Sequence, residues 1–106
     1  MINSAEEFIA LADSDNPETR SRSLTESASI QVWERVISSY GDYETHILRN
    51  ITIPMRIIET LANSKQWKTR HAVARKRKSG SQILTILSHD EEPLVRQAVA
   101  ANKKHP

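Results

Sequence analysis

Two histidines, His46 and His71, stand 25 residues apart, and Asp42 lies one helical turn before the first. Such a set could begin a metal site. A bound metal needs three or four ligands at about 2 Å, however, and the chain has no cysteine to complete the set. Neither a metal nor a cofactor is expected. Anion binding is a second chemistry to weigh. Arg20, Arg70 and Arg96 recur at related positions, and Arg75-Lys76-Arg77-Lys78 forms a cationic run with Lys68, Arg70 and His71 upstream. The arginine column reads either as a ladder, each guanidinium bonding loop carbonyls or acids of an adjacent repeat, or as an anion site. The cationic run reads either as a solvated helix C-terminus, where cations offset the negative end of the helix dipole, or as a set of phosphate contacts. Only Trp67 is near enough in sequence for base stacking, and phosphate contacts alone would be salt-sensitive and blind to sequence. Catalysis finds little footing. The serines sit at caps and turns, where hydroxyls bond the backbone. The paired acids Glu6-Glu7 and Asp90-Glu91-Glu92 fall in helix first turns, where the dipole favours them. A non-enzymatic protein is expected.

These residues are placed by a repeat. Leu11, Val36, Leu61 and Leu87 are 25, 25 and 26 residues apart. Three positions before them stand Phe8, Trp33, Ile58 and Leu84. Three after stand Ser14, Ser39, Ser64 and Asp90, all residue types that cap helix N-termini. Nine after stand Arg20, Thr45, Arg70 and Arg96, and twelve after stand Ser23, Leu48, Val73 and Val99. A fixed period of this size marks stacked supersecondary units. Each repeat reads as two short helices. Ser4-Ala5-Glu6-Glu7 is a capping box, and Asn16-Pro17 opens a helix that runs to about Ser27. The later pairs are Ile30–Ser39 with Asp42–Ile51, Pro54–Asn63 with Lys65–Arg77, and Ser81–Ser88 with Glu91–Asn102. Short connections force consecutive helices side by side. The expected fold is all-α: a short right-handed α-solenoid of about four two-helix repeats (approximately 4–28, 29–53, 54–79 and 80–106) in a single domain, 1–106.

At 100° per residue, the column Ser23/Leu48/Val73/Val99 and those one and four positions earlier face inward, with Ala72, Ala98, Thr69 and Val95 among them. The column Ser21/His46/His71/Gln97 faces out. The outer face therefore presents Asp42, Tyr43, His46 and Asn50 on one helix and Trp67, Lys68, His71 and Arg75 on the next, with Glu44 at its acidic edge. Trp33 belongs to a core column. Trp67 and Tyr43 either fold over their own loops or anchor an interface, as exposed aromatics do.

Charge adds a direction. Residues 1–50 hold nine acids and four bases, whereas residues 51–106 hold four acids and eleven bases. A nucleic-acid groove would be basic throughout, so nucleic acid is the less favoured partner. The N-terminal residues are too polar for a signal peptide and no apolar run spans a bilayer. A cytoplasmic protein, monomeric when free and without a membrane partner, is expected.

Asp90-Glu91-Glu92-Pro93-Leu94-Val95-Arg96-Gln97-Ala98-Val99-Ala100-Ala101-Asn102 resembles the central segment of leucine-rich-repeat-variant and HEAT-like helical repeats: Asp, two residues, Pro or similar, one residue, Val-Arg, two residues, Val-Ala, one residue, Asn. Lys68-Thr69-Arg70-His71-Ala72-Val73-Ala74 is a weaker copy. Repeat one keeps Asp15, Pro17 and Arg20, and repeat two replaces the Arg with Thr45. The resemblance implies a curved α-solenoid that binds on its faces. A free-standing repeat of this kind is similar to the small immunity proteins of bacterial toxin–immunity pairs, which cover a toxin's active site. The acidic half would suit a basic nuclease toxin domain as the protein partner, bound through Asp42, Tyr43, Glu44, His46, Trp67, Lys68, His71 and Arg75. The alternatives are a nucleic-acid-binding repeat using residues 68–78 or a scaffold fragment of a longer array.

Overall fold

Eight α-helices form in the computed structural model, which describes residues 1–102: α1 Ala5–Ala12, α2 Pro17–Thr25, α3 Ile30–Ser39, α4 Glu44–Leu48, α5 Met55–Ala62, α6 Trp67–Arg75, α7 Gly80–Leu87 and α8 Pro93–Ala101. Two 3-10 turns, Gly41–Tyr43 and Arg77–Ser79, precede α4 and α7. No strand occurs among the described residues, only an isolated bridge between Ile2 and Ala28. No helix among them is long and apolar enough to cross a membrane. The chain falls into two compact units, residues 1–57 and 58–106, with the division inside α5.

The anchor columns are core. Phe8, Trp33, Ile58 and Leu84 have no exposed surface, and Leu11, Val36, Leu61 and Leu87 are buried. In the first unit the Phe8 and Trp33 rings meet edge-on, with centroids 5.1 Å apart. Ser4 caps α1 by accepting from the Glu7 N–H, and the Glu7 carboxylate reaches back to the Asn3 N–H at 2.7 Å.

The column Ser14/Ser64/Asp90 does not cap helices as expected. The N-caps stand two residues later, at Asn16, Gln66 and Glu92. Each column side chain instead accepts from that later N–H: Ser14 from Asn16, Ser64 from Gln66, Asp90 from Glu92. Such side-chain turns compete locally with helix, so the helix begins after them. The arginine nine positions after the anchor then ties the same turn from the other side. Its Nη1 donates to the carbonyl six residues earlier, Arg20 to Ser14, Arg70 to Ser64 and Arg96 to Asp90, at 3.0, 2.8 and 2.6 Å. Among the described residues, the expected ladder between adjacent repeats is seen only at Arg70, which also bonds Asp90 of the next repeat; the carbonyl bonds of all three arginines stay within their own repeat. Repeat two has Thr45 there and lacks the device. Its turn closes as the 3-10 segment Gly41–Tyr43, leaving α4 only five residues long.

A second device links successive helix pairs within each unit. Asn50, fully buried, follows α4 and donates from Nδ2 to the Ser23 and Glu26 carbonyls at the end of α2, both at 2.9 Å. Asn102 follows α8 and donates to the Ala74 and Lys76 carbonyls at the end of α6. The last carbonyls of a helix have no partner within it, and an amide one repeat later supplies one. Ser79 adds a third bond, to the Val73 carbonyl at 2.7 Å. Ser79 and Asn102 thus both serve carbonyls at the end of α6. Asn50, expected on the outer face, is an internal tie. The register places it just past the helix, where 100° spacing no longer applies.

Candidate binding surfaces

The expected surface residues divide between the units. In the first, Asp42 is exposed and Tyr43 is half-buried. The Tyr43 hydroxyl donates to Asp13 Oδ2 at 2.6 Å, and the Tyr40 hydroxyl to Glu6 Oε2 at 2.7 Å. Both bonds join the segment after α3 to α1 and its connection. They hold the two phenols above their usual range, Tyr43 through its bond to Asp13 and Tyr40 through its bond to Glu6, while the Glu6 carboxyl is held below its own. The Tyr43 ring is clamped rather than freely exposed, and His46 lies against it at 5.0 Å.

Glu44 is not at a surface edge. It is buried, with 8% of its surface exposed. It stands eight positions after its anchor, in the inward column of Thr69 and Val95, both also buried. The column, not the charge, decides where it points.

In this unit, residues 1–57, nine acids stand against five bases. Arg22 pairs with Glu26, Arg35 with Glu6 and Arg56 with Glu34. Asp13, Asp15, Glu18 and Asp42 are exposed and form no ion pair among the described residues. His46 sits beside this patch with its Nδ1 buried and without a hydrogen-bond partner. Burial, helped by the Arg49 cation and opposed by Asp13, lowers its proton affinity below the ordinary imidazole value. The unfolded chain then binds this proton more tightly than the native one, so stability is full above about pH 6.5 and falls as acidification protonates the ring. His46→Gln is expected to flatten the decline in melting temperature between neutral and mildly acidic pH. An unchanged slope would place the acid sensitivity elsewhere.

In the second unit Trp67 opens α6 and is half-buried. It meets His71 edge-on at 6.1 Å, one turn along the helix. Lys68 and Arg75 are exposed and His71 is half-buried. An open groove of about 440 Å³ runs between α6 and α8, lined by His71 and Arg75 on one side and Leu94, Gln97, Ala98 and Ala101 on the other, with Asn102 at one end. Arg70 is not available to a ligand. Its guanidinium grips Asp90 at 2.8 and 3.2 Å as well as the Ser64 carbonyl. Burial pushes the Asp90 carboxyl up, but the bonds from Arg70 and the Glu92 N–H outweigh it and leave the carboxyl below its ordinary value.

No protein-family model, curated protein or solved structure matches this chain, so its chemistry is read from these surfaces. A serine–histidine contact occurs at the end of α7, where Ser88 Oγ lies 3.1 Å from His89 Nδ1. Both groups also face the Thr85 carbonyl. Ser88 Oγ donates to that carbonyl, so the serine hydroxyl serves the end of α7. Among the described residues no three side chains converge as metal ligands would.

Sequence reasoning missed Asp13, the Tyr40–Glu6 bond and the part played by Leu94 and Gln97. Asp13 lies 30 residues before Tyr43, one period plus five residues, so comparing loop residues of successive repeats would have raised it. The groove has no signal in any single repeat, because its two walls come from different ones.

Proposed function

We propose that this chain is a non-enzymatic, protein-binding helical repeat, a short right-handed α-solenoid of four two-helix repeats, that inhibits a basic protein partner by covering its active surface. A nuclease-type toxin domain is the partner class that fits, with the chain as its cytoplasmic immunity protein. The 25-residue period and the recurring arginine and asparagine bonds support the repeat reading. The binding reading rests on Tyr43. Its hydroxyl is tied to Asp13, and Asp42 is its neighbour in the chain, so an aromatic ring is preset beside acids that form no ion pair among the described residues. Presetting lowers the ordering cost of binding, and unpaired acids speed association with a basic partner and select for it.

The test is affinity capture from native cytoplasm with the whole chain, followed by titration of the captured protein. The expected partner is basic, and its nuclease activity falls when the chain is added. Tyr43→Ala is expected to weaken binding by about thirtyfold or more, as loss of an aromatic anchor does, and Asp42→Lys to slow association most at low salt. Failure to capture any basic protein, or tight and salt-resistant binding of RNA through residues 68–78, would overturn the reading.

A further inference from the structure

The groove between α6 and α8 uses none of the residues assigned to the acidic surface. Its floor is apolar: Ala98 and Ala101 leave it open, and Leu94 stands at its edge with 45% of its surface exposed. Its rim carries polar groups held in reserve. Arg75 and Gln97 line it and make no side-chain bond among the described residues, and His71 offers a ring nitrogen. Lys68 precedes Arg75 by seven residues on α6, which separates the two by about 10 Å along one face of the helix. The unit, residues 58–106, holds four acids against ten bases, and one of those acids, Asp90, is committed to Arg70.

We propose that this groove docks an acidic amphipathic helix of a protein partner. Such a helix lays apolar side chains over Leu94, Ala98 and Ala101, in the manner of helix-in-groove recognition. Carboxylates seven residues apart on it match Lys68 and Arg75, and Gln97 can donate to one of them. Charge selects the occupant: a basic helix would set its cations against Arg75 and Lys68. A nucleic-acid backbone suits the site less well, because the floor is apolar and a phosphate chain gains most from a continuous line of cations.

The probe is a fluorescein-labelled synthetic helix with leucines on one face and glutamates seven residues apart, titrated into the whole chain by anisotropy. Amide shift mapping of the same mixture provides the second reading. Saturable binding is expected, with shifts concentrated on α6 and α8. Arg75→Glu and, separately, Gln97→Glu should each weaken binding about tenfold, as loss of a charge-assisted bond does, with unchanged helical dichroism. The two sites are exposed, so should either variant fold poorly the other still decides. A lysine version of the probe should not bind. Shifts confined to other elements, wild-type affinity in a folded variant, or a single-stranded DNA oligomer binding as well as the peptide would overturn the proposal. None of these outcomes depends on the Tyr43 surface.

Discussion

Trp33→Ala is expected to cost about 3–5 kcal/mol of folding free energy, the range for removing a large buried aromatic. The indole has no exposed surface and meets Phe8 edge-on at 5.1 Å, so truncation leaves a cavity and breaks the one aromatic pair of the first unit's core. Its Nε1 is buried without a hydrogen-bond partner, which itself costs on the order of 1–3 kcal/mol. Trp33→Phe removes that nitrogen while keeping an aromatic face toward Phe8. It is therefore expected to be much the milder variant, with the polar gain offsetting most of the lost packing. Urea titrations of the three proteins measure the difference. If phenylalanine proves as damaging as alanine, packing of the whole indole decides stability and the bare nitrogen contributes nothing.

The second large effect is expected at Asn50. Its Nδ2 serves two carbonyls at the end of α2, and its Oδ1 accepts from the Thr52 N–H at 2.8 Å. Asn50→Ala strips partners from three backbone groups, at a cost of about 3 kcal/mol once partial rehydration is allowed for. Asn50→Asp should be worse, although it is nearly isosteric. It keeps the acceptor for Thr52 but turns an oxygen, charged at neutral pH, toward two carbonyl oxygens in a site with no exposed surface. The signature is a midpoint lower than that of the alanine variant at neutral pH, recovering in part under acid as the carboxyl takes up a proton. An aspartate variant as stable as wild type would show that the α2 carbonyls find other donors.

Sequence alone determined the eight helices to within a few residues at most ends, because the apolar columns and the caps Ser4 and Asn16 are properties of single helices. It also determined the core. A column at a fixed angle faces one way whatever its neighbours do, which is why Phe8, Trp33, Ile58 and Leu84 are all fully buried. Glu44 was legible by the same rule, and its charge distracted from its column. The shortened α4 lies in the repeat that carries Thr45 where the others carry arginine, and its 3-10 entry is a feature of the turn rather than of any helical column. Only the tertiary structure decided which groups meet across repeats: Tyr43 with Asp13, Asn50 with the end of α2, Arg70 with Asp90, and the groove between α6 and α8. Each of these joins side chains about 20 or more residues apart in the chain. Helical periodicity dictates the direction a side chain leaves its own helix, whereas its partner depends on how two helices pack, and that is set by the volumes of all the residues between them.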